Sequence, residues 1–291
     1  MKVNAAQLPG PHRSQDRVFS TANAAIVLDG ATAFASVELD AATYADALGR
    51  HIVTELRSHD HRNLAEVVSN AIDVVAHQFN LRPGHSPSST VTIVRIRDQH
   101  ADLFVLGDSP VFYGTAHHSH MLVDTRLADL NLPESRRYRD RLRAGCGYDD
   151  QHRTLLRRLQ EHQRAWRNID GGYWIAEADP TAAHHAITAT LGVHDLSWAV
   201  LATDGITHPL THLGQADWAT LVTKSDRQLA RLLTAAHRWE REDDPTGKNF
   251  PRAKRHDDKT IAAIPSIWPY RFGPSEPGDS GLGNNGTKSG G

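Results

Sequence analysis

The sequence predicts an α+β fold in which helices layer onto antiparallel β-sheet, and three observations predict it. An unbroken apolar run at 24–28, Ala-Ala-Ile-Val-Leu, reads as a buried strand. Two amphipathic helical stripes follow it directly. A meander of strands at short spacing comes next, and short loops between successive strands imply antiparallel pairing. Two consecutive helices between one strand and a meander do not fit a βαβ repeat and favour α+β layering.

In chain order, residues 1–15 are polar and turn-rich, with Pro9, Gly10 and Pro11. Asp16, Arg17, Val18 and Phe19 precede the strand at 24–28, which ends at Asp29-Gly30. Ala41, Ala45, Leu48, Ile52 and Leu56 then share one helical face. Asn63 caps a second helix whose stripe is Leu64, Val67, Ala71, Val75 and Phe79. Residues 82–87 form a Pro/Gly loop. Strands are expected at about 89–97, 101–107, 110–115 and 119–123, with hairpin turns at 98–100 and 116–119. Residues 124–186 read as an irregular insertion. It holds a cluster of arginines (Arg136, Arg137, Arg139, Arg141, Arg143), an amphipathic stretch with Leu155, Leu159 and Trp166, and Gly171-Gly172. Strands return at 186–190 and 197–203. A helix spans about 225–241, a charged loop follows, and a final strand runs over 259–264. One domain over 1–268 is expected, followed by a tail at 269–291. From Arg271 onward Gly, Pro, Ser and Asn dominate, and the tail is read as disordered.

Composition narrows the function. A length of 291 residues allows a sizeable core. A net charge of −2 provides no global field for nucleic acid or anionic membrane. The single cysteine, Cys146, excludes an intramolecular disulfide framework and suits a reducing cytoplasm. No apolar leader or membrane-length apolar stretch is present, so a cytoplasmic protein is expected.

The chemistry is carried by acids at strand ends: Asp29-Gly30, Asp108-Ser109 after 103–107, Asp204-Gly205 after 198–203, and Asp257-Asp258 before 260–264. Each alone reads first as a turn after a strand. Together they deliver several buried carboxylates, which are costly unless a cation neutralises them. Oxygen-only ligands favour Mg²⁺ or Mn²⁺ over zinc.

The order of these stretches resembles the metal-dependent protein phosphatase 2C (PPM) family, including its bacterial members. The matching motifs are Gln15-Asp16-Arg17-Val18-Phe19, Leu28-Asp29-Gly30-Ala31-Thr32, Ser89-Thr90-Val91 and Leu106-Gly107-Asp108-Ser109. Thr190-Leu191-Gly192, Ala202-Thr203-Asp204-Gly205-Ile206 and His256-Asp257-Asp258-Lys259-Thr260 complete the series. The resemblance spans about 10–265. It implies a four-layer αββα sandwich, two antiparallel β-sheets flanked by helix pairs, with the insertion at 124–186 as a flap beside the active site. It implies two Mn²⁺ or Mg²⁺ ions, with a third position nearby. Asp29 would bridge the pair, the Gly30 carbonyl would bind one ion, and Asp204 and Asp257 would hold the other. Asp108 would serve the third position and Asp16 would stand behind the pair. The implied activity is hydrolysis of phosphoserine and phosphothreonine in a phosphorylated protein, the target of a Ser/Thr kinase. A water activated between the two ions would attack phosphorus in line.

The chain departs from the family pattern at several positions. Gln15 replaces a glutamate, Pro11 stands where an arginine commonly contacts phosphate, Pro110 replaces an arginine, and His208 replaces an aspartate. Arg13 and Arg17 are the substitutes expected to bind substrate phosphate. These departures support an alternative, a pseudophosphatase that binds a phosphoprotein or regulator. The arginine cluster at 136–143 reads as a solvated helical face or as a phosphate-recruiting patch. His208 and His212 read as satisfied or exposed histidines, with general-acid or ligand roles as the sharper option. Trp166, Trp174, Trp198 and Trp239 are expected to pack in or over the core, and Cys146 to lie in a loop.

Overall fold

The computed structural model describes residues 1–10, 13–31, 39–115 and 118–267. Pro11, Thr32, residues 116–117 of the turn expected at 116–119 and the tail at 269–291 lie outside the described residues.

The strands are β1 (Asn4–Leu8), β2 (Arg17–Ser20), β3 (Ala24–Leu28), β4 (Val91–Arg97), β5 (His100–Leu106), β6 (Val111–Gly114), β7 (Ser119–Leu122), β8 (Ile187–Gly192), β9 (Trp198–Ala202) and β10 (Lys259–Ile264). The helices are α1 (Ala41–Ser58), α2 (Leu64–Gln78), α3 (Arg126–Asp129), α4 (Pro133–Arg143), α5 (Asp150–Ala165), α6 (Asp204–His212), α7 (Trp218–Leu221) and α8 (Asp226–Glu242). Two five-stranded sheets form, in the orders β2-β3-β4-β5-β8 and β1-β10-β9-β6-β7. Every pairing is antiparallel.

Three apolar layers hold these elements together. Ala24, Ile26 and Leu28 of β3 face the stripes of α1 and α2. Ala25 and Val27 point the other way and meet Leu201, Ala262 and Ile264 of the second sheet. The outer face of that sheet, including Val200, Ala202, Ile261 and Ala263, packs on α6 and α8. The side-chain period of two thus buries both faces of β3, which explains its continuous apolar run. Asp40 caps α1 by accepting from the Thr43 amide at 3.0 Å, and Asn63 caps α2 by accepting from Ala65 at 2.8 Å.

The structure differs from the sequence reading at five places. The strands read as one meander divide into two hairpins, β4–β5 in one sheet and β6–β7 in the other, because β5 pairs with β8 and β6 with β9. Asn4–Leu8 is a strand inside the stretch read as turn-rich, because its polar pattern is offset by pairing with β10. Arg17–Ser20 is also a strand, on the edge beside β3. A helix, α6, begins at Asp204 itself. Trp166 is 42% exposed at the end of α5, whereas Trp174 and Trp198 are buried as expected. The arginines of α4 take the solvated reading: Arg141 pairs with Asp149 and Arg143 with Asp140 at the surface. Cys146 is an exposed free thiol between helices α4 and α5.

Register gathers the acidic strand ends. Leu28 pairs with Arg17, Val27 with Thr92, and Leu106 with Val91, so the site ends of β2, β3, β4 and β5 share one sheet edge. Ala202 pairs with Ile261 and Val111 with Leu201, which aligns the end of β9 with the starts of β10 and β6.

Candidate metal centre

Asp29 leaves β3 with its backbone clamped. Its carbonyl accepts from the Thr90 amide at 2.9 Å and the Ser89 hydroxyl at 3.0 Å, and its own amide donates to Thr90 Oγ1. Thr90 Oγ1 lies 2.8 Å from Ser109 Oγ, and Thr92 Oγ1 donates to the Ser109 carbonyl. This hydroxyl ladder ties the Asp29 turn to the turn that carries Asp108. Gly30 allows close approach here: a Cβ would fall 2.8 Å from the Gln15 carbonyl oxygen.

The second sheet supplies Asp204 and Asp257. Thr203, preceding α6, donates its amide to the Thr260 carbonyl, accepts from the Thr260 amide through Oγ1, and donates that hydroxyl to Asp16 Oδ2 at 3.0 Å. A Cβ on Gly205 would fall 1.8 Å from the Asp258 carbonyl oxygen, so only glycine lets α6 start against β10. Asp258, the neighbour of Asp257, is fully engaged elsewhere. It accepts from the amides of Gly10 (2.7 Å) and Gln15 (2.8 Å) and so clips the N-terminal segment to the site.

The carboxylates repel one another. Burial first, then the charges of Asp16, Asp204 and Asp257, push the Asp29 carboxyl well up. Burial, with Asp258 and Asp257 adding, lifts Asp16 to about 7. Burial and Asp204 lift Asp108 to about 6, against the partial relief of His208. The charges of Asp16, Asp204 and Asp257 thus all act on Asp29, and Asp108 joins the group through Asp204. Asp16 is 1% exposed, and its Oδ1 is buried without a hydrogen-bond partner. An all-oxygen donor set with excess negative charge and an orphaned buried oxygen fits a hard divalent cation.

The expected phosphate contacts are placed differently from one another. Arg17 donates to the carbonyls of Ser14 and Asp16 at 2.7 Å and lies 3.4 Å from Asp46. Arg13 is exposed. His208 is exposed and meets Phe250 edge-on, while His212 stacks on Phe250 at 5.0 Å.

Two residues near the centre were not anticipated from the sequence. Asp124, buried, is held bidentately by Arg126 and its charge acts on Asp108. Lys254 places Nζ 2.6 Å from Asp257 Oδ1. Its position three residues before an acid in a candidate motif was the available signal. A further cluster, His237, Glu240 and His256, brings its ligand atoms within 4.8 Å of one another. There Glu240 Oε2 accepts from the buried Lys259 ammonium at 2.9 Å, which makes this an ion-pair network holding α8 to the start of β10.

No family model matches the sequence, and no curated protein matches it. Solved structures do. The PPM Ser/Thr phosphatase MsPP of Mycobacterium smegmatis aligns with a TM-score of 0.51 at 15% identity, covering 91% of this chain and 97% of that one. PppA, a regulatory component of the type VI secretion system in Pseudomonas aeruginosa, aligns at 0.51 and 16% identity, covering 91% and 97%. The catalytic domain of the serine/threonine phosphatase PstP in complex with two manganese ions aligns at 0.51 and 14% identity, covering 90% and 96%. No helix among the described residues is long and apolar enough to cross a membrane. Two antiparallel sheets between helix layers are thus shared with these proteins, and the chain has the fold of the PPM serine/threonine phosphatases.

Proposed function

We propose that this protein is a metal-dependent phosphatase that hydrolyses phosphoserine and phosphothreonine in protein substrates. The observation that carries the reading is the convergence of Asp29, Asp204 and Asp257 from two sheets onto one edge, with too little positive charge to neutralise them. Asp29, the Gly30 carbonyl, Asp204 and Asp257 would hold two Mn²⁺ or Mg²⁺ ions, and Asp108 a third. When bound, such ions lower the pKa of a water and stabilise charge on phosphoryl oxygens.

The chain's own residues do the rest. Ser89 and Thr90 fix the Asp29 backbone, so its carboxylate is aimed before any ion arrives. Thr203 orients Asp16 behind the cluster. Arg13, exposed and three residues before Asp16 in the chain, is freer than Arg17 to meet substrate phosphate, because Arg17 is turned to Asp46 and to backbone carbonyls. The partner is then a phosphoprotein, a Ser/Thr kinase target. Residues 124–186 would act as a flap that selects it.

A second reading, a pseudophosphatase, is favoured by one observation: the ammonium of Lys254 already sits on Asp257. The two readings separate in one experiment. With Mn²⁺, the purified protein should release phosphate from a phosphothreonine peptide and from p-nitrophenyl phosphate, and Asp29→Asn should lose at least about 100-fold in kcat, the scale of removing a principal electrostatic group. Binding of Mn²⁺ without turnover by the wild type under varied metals would select the pseudophosphatase.

A further inference from the structure

The carboxylate cluster contains a cation of its own. Lys254 Nζ bonds Asp257 Oδ1 at 2.6 Å, and the charges of Asp29 and Asp204 also act on it. The two side chains are about one-third exposed, 29% and 30%, so the pair is reached by solvent.

The backbone around Lys254 is anchored on both sides. Asp244, buried, accepts from the amides of Asn249 and Phe250 and from Arg252 Nη1 at 2.7 Å. Arg252 Nη2 reaches the carbonyls of Glu240 and Asp244. His152 of α5 lies 2.8 Å from the Ala253 carbonyl through Nε2. On the far side, Asp258 is clipped to Gly10 and Gln15. A long, flexible side chain is therefore mounted on a fixed base beside three acids. A simple surface ion pair gains little from such a mounting.

The contrast with Lys259 is informative. Lys259 is fully buried on Glu240, donates also to the Asp257 carbonyl at 3.1 Å, and pairs with no second carboxylate among the described residues. Lys254 faces three carboxylates with one positive charge. It can be exchanged for a cation of higher charge, whereas Lys259 has no reason to leave.

We propose that Lys254 is a positioning residue of the metal centre: without metal its ammonium holds Asp257 toward Asp29 and Asp204, and a divalent ion must displace it from Asp257 to bind. This rests on the reading of these acids as metal ligands. The physical basis is competition for one carboxylate oxygen, reinforced by repulsion between an ammonium and a divalent ion a few ångströms apart. Coupling of this kind is reciprocal, so the ammonium weakens metal binding by the factor with which metal weakens the Lys254–Asp257 bond.

The test is calorimetric titration of the metal-free protein with Mn²⁺, together with its melting temperature with and without Mn²⁺. Lys254→Met keeps the aliphatic stem and removes the charge. It should bind Mn²⁺ roughly 10-fold more tightly than wild type, within the usual range of such couplings. Its metal-free form should melt lower, and saturating Mn²⁺ should close that gap. Lys254→Arg, which keeps the charge, should restore wild-type behaviour in both measurements. Equal or weaker Mn²⁺ binding by Lys254→Met, with wild type binding normally, overturns the displacement role alone. Failure of wild type to bind Mn²⁺ any better than Asp29→Asn overturns the metal reading and this proposal with it.

Discussion

Asp102 and Asp16 are both buried aspartates, and their surroundings are opposite. Asp102 stands across from Arg95 in the β4–β5 ladder, accepts from Arg95 Nη2 at 2.9 Å and Arg97 Nε at 2.7 Å, and receives the Thr190 hydroxyl. Burial alone would raise its carboxyl, but the bonds from Arg97 and Arg95 hold it below the usual range. Asp16 has no arginine on its side chain, and one of its oxygens is orphaned. A buried acid with matched cations is part of the scaffold; one without them is ready for a ligand. Asp102→Ala should therefore destabilise the protein by about 3–5 kcal/mol, because it strands the 1%-exposed Arg95 without its counter-charge. Chemical denaturation checks this, and Mn²⁺ affinity should be unchanged, since Asp102 pairs with residues toward the opposite end of β4 from the carboxylate cluster.

Among elements, the α4–α5 pair has a role that its arginines conceal. Its apolar contacts, Tyr138, Leu142, Leu155, Leu156 and Leu159, form a cluster of their own that also takes in Ala253, the neighbour of Lys254. Arg252 lies over the Tyr148 ring at 5.8 Å. The insertion thus touches the loop that carries Lys254, while its charged face is turned to solvent. Deleting residues 134–165 should change kcat/KM for phosphopeptides by at least about 10-fold and leave p-nitrophenyl phosphate hydrolysis within a few-fold, because remote substrate contacts act only on substrates large enough to make them. Equal loss on both substrates would assign the pair to folding or to support of the Lys254 loop.

For the molecule as a whole, the gathered acids set a pH dependence. In the folded metal-free protein Asp16 sits at about 7, above its ordinary 3.8. Below about pH 4 it is protonated in both states. Between there and about pH 7 the unfolded chain releases the proton while the folded one keeps it, so stability falls as pH rises. Asp108, lifted to about 6, acts in the same direction. Scanning calorimetry in a chelator should show the melting temperature dropping across this window, and saturating Mn²⁺ should flatten the slope. A metal-free protein whose stability rises from pH 5 to pH 7 would contradict this account of the cluster.

The sequence by itself determined what is local. Unbroken apolar runs marked β3 and β9, helical stripes marked α1 and α2, short turns marked the β4–β5 and β6–β7 hairpins, and an acid stood at each relevant strand end. These signals are periodicities and neighbour effects, and they are read within one element. Only the tertiary structure decided which acid does what. Asp258 clips Gly10 across a separation of 248 residues, Asp102 balances arginines, and Asp29 is left among other carboxylates. It also turned Arg17 to Asp46, made a strand of the polar segment Asn4–Leu8 by pairing it with β10, and set the loop that bears Lys254 against α5 through His152 and the Ala253 carbonyl. Charge pairing and strand register are contacts between residues far apart in the chain, so no local pattern encodes which partner a side chain will meet.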